Sequence, residues 1–180
     1  MEIPRGVCGV ALVVCFVYGD FDIEAKLPTV KNLWPAFWMS PFESWPPEID
    51  VFEAYSKNKE HFFHFDIFNP FGFWRVETNF HCGKQPDNYN LGAKTHWLGW
   101  KNPAKHFNKF GCLWTADTSK IFYNDRLVRE LKDPKLLEEY RGKSMNVKIN
   151  AHVDAGVDVN NHPTSEYVVR NFKYEPLDIK

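Results

Sequence analysis

Pro47-Glu48-Ile49-Asp50-Val51-Phe52-Glu53-Ala54 places three carboxylates within six residues, interleaved with three large apolar side chains. On a helix the carboxylates spread over roughly 200° and the apolar residues interrupt them. In a regular strand Glu48 and Asp50 share one face and Glu53 falls on the other. A β-bulge near Val51-Phe52 reconciles the pattern, because one extra residue restores the phase. Glu48, Asp50 and Glu53 then project from one face, and Ile49, Val51 and Phe52 pack on the other. The residue types suit a strand, and Pro46-Pro47 bars ladder pairing just ahead of it.

The spacing has chemical consequences. With the bulge discounted, Glu48 and Glu53 stand about four strand steps apart, roughly 13 Å between Cα atoms. Two Glu side chains leaning together over a concave face close this to about 5 Å between carboxyl groups, the separation that suits a retaining glycosidase. Asp50 lies between them. Its charge opposes further ionisation on the same face, so one Glu is expected to keep its proton near neutral pH.

The motif resembles the signature of glycoside hydrolase family 16 in its bulged E-x-D-x-x-E form (laminarinase, agarase and carrageenase types). Three neighbouring blocks agree, in the family's order. Tyr18 to Pro28 (YGDFDIEAKLP) resembles an early strand, and Leu33 to Met39 (LWPAFWM) resembles the strand before the catalytic one. His106 to Thr115 with Ile121-Phe122-Tyr123 resembles a later hairpin. The resemblance covers residues 16 to 173. Family members carry further strands ahead of this point, so the chain is expected either to lack part of the N-terminal region or to be a minimal or truncated version. It implies an all-β fold, a concanavalin A-like jelly-roll sandwich of two antiparallel sheets with one short helix. It also implies a cleft across the concave sheet, with Glu48 as nucleophile, Glu53 as acid/base and Asp50 tuning both. The substrate implied is a polysaccharide, β-1,3-glucan ahead of galactan, cut internally outside the cell. A non-catalytic carbohydrate-binding protein on the same scaffold is the alternative. A fragment that needs another chain to complete its sheet is the third reading.

Composition is consistent with one domain over residues 1–180. Net charge is −1, so no basic field points to nucleic acid or to a membrane surface. A monomer without cofactor is expected. Aromatic residues make up 17% of the chain, suiting a β-rich core with stacking surfaces. Cys8, Cys15, Cys82 and Cys112 show no CxxC or zinc-finger spacing. Gly6 to Val17 reads as a strand entering the Tyr18-Gly19 turn, with a short signal-peptide core as the competing reading.

Further strands are expected at 20–27, 34–40, 61–68, 73–80, 107–115, 119–124, 126–129, 145–153 and 166–174. Trp34, Ala36 and Trp38 share one face of the second of these. Asn124-Asp125 reads as a tight hairpin turn. Asp133-Pro134 starts the helix, with Gly142 beyond its end. Residues 81–105, polar and rich in Gly and Pro, read as one long loop.

Sugar-stacking candidates are Trp38 and Trp45 beside the motif, then Trp34, with Trp97 and Trp100 as an outer subsite. Trp74 reads as core, and Trp114 as core or cleft. His64 is the histidine candidate beside the nucleophile, because relatives have a His in that strand. His81, His96 and His106 show no spacing that suggests a metal site. Tyr167 stands where many family members place a calcium-binding Asp, so no metal is expected.

Overall fold

The computed structural model describes residues 7–28, 32–54, 74–83, 89–153 and 165–177. In chain order these form β1 (Val7–Phe16), β2 (Gly19–Lys26), β3 (Leu33–Ser40), β4 (Glu48–Glu53), β5 (Trp74–Cys82), β6 (Tyr89–Asn90) and β7 (Lys94–Gly99). Then come β8 (Asn108–Trp114), β9 (Ser119–Tyr123), β10 (Arg126–Leu131), α1 (Pro134–Leu137), β11 (Met145–Val153) and β12 (Val168–Glu175). One sheet runs β1-β11-β3-β4-β5-β6, with β7 also paired to β5; the other runs β10-β9-β8-β2-β12. All pairings are antiparallel. This is the expected two-sheet sandwich.

Alternation drives the packing. On β2, Phe21, Ile23 and Ala25 are fully buried, while Asp22 and Glu24 alternate outward. The core joins these to Phe110, Ile121 and Trp114 of the same sheet and to Phe37, Met39, Ile49, Val51, Phe52 and Phe80 of the other. Phe52 meets Phe110 with ring centroids 4.2 Å apart, so the bulged strand is seated directly on the opposing sheet. Both Trp114 and Trp74 are core residues.

Turn chemistry follows the sequence where left-handed backbone is needed. Asn124 (φ 49°) and Asp125 (φ 63°) join β9 to β10 as two consecutive left-handed residues, the demand of a type I′ hairpin. At Gly19 (φ 145°) an added Cβ would come within 2.3 Å of the Tyr174 ring, so the close approach of β12 requires glycine there.

Two expectations change. The helix is capped as expected, with Asp133 accepting from the Lys135 N–H, but it ends after Leu137. From Glu139 onward the chain makes i→i+3 bonds (Glu139 to Leu136, Tyr140 to Leu137), a tightening that turns Leu137 and Tyr140 into the interior. Residues 81–105 are not one loop. β7 pairs with β5 through Thr95↔Glu77 and Trp97↔Arg75, and Gly83, Gly92 and Gly99 supply positive-φ turning points between short segments. The glycines that suggested a loop are the corners of a strand. The strand expected at 61–68 lies outside the described residues.

Candidate active site

β4 carries the expected bulge. Against β3, Phe52 pairs with Phe37 and Asp50 with Trp38, leaving Val51 without a partner. Against β5, Glu53 pairs with Glu77 and Asp50 with Asn79, so Val51 and Phe52 together oppose Thr78. The phase shift does what the sequence requires. Ile49, Val51 and Phe52 are fully buried, while Glu48, Asp50 and Glu53 all line one cavity of about 310 Å³. The register sets the neighbours of each carboxylate. Asn150, Ala36, Glu53 and Glu77 form one row across four strands; Lys148, Trp38, Asp50 and Asn79 form the next. Ala36 sits between Glu53 and Asn150, and its small side chain leaves the cavity floor open. Trp34 and Trp38 wall the same cavity from β3.

Polar contacts orient the groups. The Trp45 indole N–H donates to Glu48 Oε2 at 3.1 Å. His81 Nε2 lies 3.5 Å from Glu48 Oε1 and 3.2 Å from Asp50 Oδ2, with the Asn79 amide 3.0 Å away. The Trp45 and His81 rings are 5.6 Å apart. The Trp38 indole N–H donates to Asn150 Oδ1 at 2.7 Å, which fixes its ring plane. The Lys148 ammonium lies over that ring, 4.2 Å from its centre, and donates to the Ser40 hydroxyl.

The electrostatics favour retained protons. Burial pushes Glu48 up from 4.5 to about 7, with the Asp50 charge adding to it; His81, the Trp45 bond and Lys148 oppose the rise. Burial also pushes Glu53 up from 4.5 to about 7, helped first by Glu48 and more weakly by Glu77, and opposed by Trp34 and His81. Asp50 is raised well above the usual carboxylate range by burial and by Glu53, against the bond it shares with Glu48. Near neutral pH the group therefore holds protons that exposed carboxylates would have lost. Glu48, Asp50 and His81 also bring one ligating atom each within 4.8 Å of one another, a set among the described residues that could hold a cation. Tyr167 is no such ligand. Its hydroxyl donates to the Ala36 carbonyl at 3.3 Å and its ring packs against Phe52.

The family model described as "Glycosyl hydrolases family 16" matches residues 13–169. The chain belongs to this family. It is 51% identical over 118 residues to the endo-1,3-1,4-beta-glycanase ExsH of Rhizobium meliloti (strain 1021), a match covering 65% of this chain and 22% of that one. It is 32% identical over 128 residues to a beta-1,3-glucan-binding protein of Penaeus monodon, covering 66% of this chain and 32% of the relative. The chain thus spans about a fifth to a third of these relatives' length. Among solved structures it resembles LamAcat from Zobellia galactanivorans (TM-score 0.64, 22% identity, 88% of this chain and 64% of that one). It also resembles the E144S mutant of the endo-beta-1,3(4)-glucanase SCLam (TM-score 0.66, 18% identity, 91% and 61%). Both likenesses bear on the fold.

In this family 16 chain, Glu48, Asp50, Glu53, Trp34, Trp38 and Trp45 gather about the cleft, although Trp45 stands at its rim, 44% exposed. Trp97 and Trp100 do not join them. They line another cavity with Tyr123, Asn124 and Arg126, and none of the three carboxylates reaches it. Trp97 is on β7 rather than on a free loop, and its backbone carbonyl accepts from Arg126. His64 lies outside the described residues. His81 was missed. Its place beside Glu48 follows from β5 register, and the one available signal was the alternation Arg75, Glu77, Asn79, His81 along a strand next to the carboxylates. Asn150 and Lys148 were missed for the same reason on β11.

Proposed function

We propose that this chain is a retaining, endo-acting β-glycosidase that hydrolyses internal bonds of a polysaccharide, with β-1,3-glucan ahead of galactans. The observation that carries the reading is the bulge, which puts Glu48 and Glu53 on one cleft face between tryptophan walls. In this mechanism Glu48 attacks the anomeric carbon and forms a glycosyl-enzyme while Glu53 protonates the leaving oxygen. Glu53 then takes a proton from the incoming water, which releases the sugar and restores Glu48. The neighbours favour that division of labour. Glu48 has Trp45 and the closer approach of His81 to stabilise an anion; Glu53 has Trp34 and His81 for the same, but also faces Glu77, whose charge favours a retained proton. Asp50, between the two in register, holds Glu48 and tunes both. Trp34, Trp38 and Trp45 offer aromatic faces to the C–H faces of sugar rings. Trp97 and Trp100, two exposed rings outside the cavity, would meet a longer chain beyond it. Such an enzyme works where polysaccharide is found, outside the cell.

The binding-protein relative supports a second reading, a carbohydrate-binding module on the same scaffold. Reducing-end release with product sizing on laminarin, mixed-linkage glucan and agarose separates the two. Hydrolysis to oligosaccharides of several lengths is expected. Binding without product at high protein load would leave the second reading standing.

A further inference from the structure

A bulge solves the phase problem and creates another one. The extra residue loses its ladder partner, and a buried carbonyl without a donor is costly. Val51 is that residue, paired with neither β3 nor β5 and fully buried. Its carbonyl accepts instead from the Tyr123 hydroxyl at 2.7 Å. Tyr123 comes from β9 in the opposite sheet, is 2% exposed, and also lies 3.4 Å from the Glu77 carbonyl on β5. At the other end of β4 the arrangement repeats. The Tyr140 hydroxyl donates to the His81 carbonyl at 2.6 Å and lies 3.2 Å from the carbonyl of Glu48 itself. Tyr140 is 1% exposed. Between the two, Arg129 donates to the carbonyl of Thr78, the residue opposite the bulge, at 2.6 Å.

We propose that Tyr123 and Tyr140 are positioning residues for the two glutamates, gripping the main chain of β4 at the bulge and at its entry from beneath the cleft. Neither hydroxyl bonds a carboxylate; each bonds carbonyls of the strands that carry them. Tyr123 fixes the peptide two residues before Glu53, and Tyr140 fixes the peptide of His81, the register partner of Glu48, with the Glu48 carbonyl 3.2 Å away. The bulge is a local irregularity that can relax by rotating one peptide, and such a rotation would swing Glu53 away from Glu48. Two hydroxyls that bridge β4 and β5 oppose it. The inference rests on the hydrolase reading for its kinetic consequence and on the main-chain geometry alone for its structural one.

Tyr123→Phe and Tyr140→Phe remove one oxygen each. Tyr18→Phe is the control: its hydroxyl accepts from the Gly142 N–H at 2.9 Å, so it loses a part-buried bond that involves no atom of β4 or β5. Two readouts are taken beside thermal stability. The first is steady-state kinetics on laminarin. The second is a ¹³C-carboxyl NMR titration of Glu48 and Glu53 in the resting protein. For Tyr123→Phe, kcat is expected to fall at least about tenfold with KM little changed, as for a misplaced reacting group. The Glu53 titration should move to lower pH as Glu48 recedes, with Asp50, Glu77 and His81 its remaining charged neighbours. Tyr18→Phe should lose comparable stability and change neither. Tyr123→Phe with the stability loss of Tyr18→Phe, but wild-type kcat and wild-type carboxyl titrations, would overturn the proposal. Should Tyr123→Phe not fold, Tyr140→Phe is judged by the same criteria. If wild-type protein hydrolyses none of the three glycans, the hydrolase reading fails separately, and the NMR titration still decides the positioning role.

Discussion

Two acidic clusters sit on the two sheets of this molecule, and Glu24 and Glu175 of one behave oppositely to the carboxylates of the other, although Asp20 on the same face of β2 is also raised, by burial and by Asp22 and Glu175. On the outer face of β2 and its neighbours, Asp22 pairs with Lys109 at 3.2 Å, Lys109 with Asp125 at 2.9 Å, and Glu24 with Arg170 at 2.7 Å. Glu175 pairs with Lys173. Hydrogen bonds from Asn171 and Arg170 hold Glu24 below the usual carboxylate range, and Lys173 does the same for Glu175. These are solvated ion pairs, worth little individually. In the cleft, among the described residues, no lysine or arginine makes an ion pair with Glu48, Asp50 or Glu53, and all three are raised. Acidic residues close in sequence do not make a catalytic site. Burial with no lysine or arginine paired to the carboxylates keeps protons where acid chemistry can use them.

The largest expected effect sharpens that contrast. Glu48→Gln and Glu53→Gln should each lower kcat by about a thousandfold or more while oligosaccharide affinity stays within about threefold. Glu24→Gln on the outer cluster should leave kcat unchanged. Steady-state kinetics with calorimetric binding to laminari-oligosaccharides checks all three, and a Glu24 effect as large as a cleft effect would break the comparison.

A smaller effect concerns the tuning of Glu48. Trp45→Phe keeps an aromatic face but removes the N–H that favours the Glu48 anion, so the Glu48 pKa should rise. The pH–rate profile should be a bell centred near neutral pH, its acid limb reporting Glu48 and its basic limb Glu53. In the variant the acid limb moves to higher pH, so more activity is lost at about pH 5 than at about pH 8. A profile that only scales down would show that Trp45 acts through stacking alone.

The smallest effect is on stability. Folding raises Glu48 and Glu53 from 4.5 to about 7, so the folded state holds these protons more tightly than the unfolded chain. Their contribution to stability is therefore full below about pH 4.5 and is lost as pH climbs through about 7. Glu53→Gln should stabilise the protein at pH 8, by on the order of 1 kcal/mol, and not at pH 4. Thermal melts at the two pH values measure it. Glu24, held low instead, should show the reverse sign when replaced by Gln.

Much of this was legible in the chain because local rules were strong. Glu48 to Glu53 admits one backbone solution that groups its carboxylates, and the bulge is there. Asn124-Asp125 and Asp133-Pro134 carried their turn and cap in their residue types. What escaped depended on register and on partners distant in sequence. His81 reaches Glu48 because β5 pairs in one particular offset, which residue types do not state. Nothing in the sequence marks the roles of the Tyr123 and Tyr140 hydroxyls, since their partners are main-chain carbonyls 72 and 59 residues away. β7 was hidden by the glycines at its ends, which punctuate short strands as readily as loops.

The stereochemistry of the first product tests the central claim most directly. With a β-linked glucan followed by ¹H NMR from the first minutes of reaction, the bulge-built pair of glutamates predicts that the β-anomer accumulates first and the α-anomer appears only by mutarotation. Initial release of the α-anomer would mean a single displacement by water, and Glu48 could not be the nucleophile.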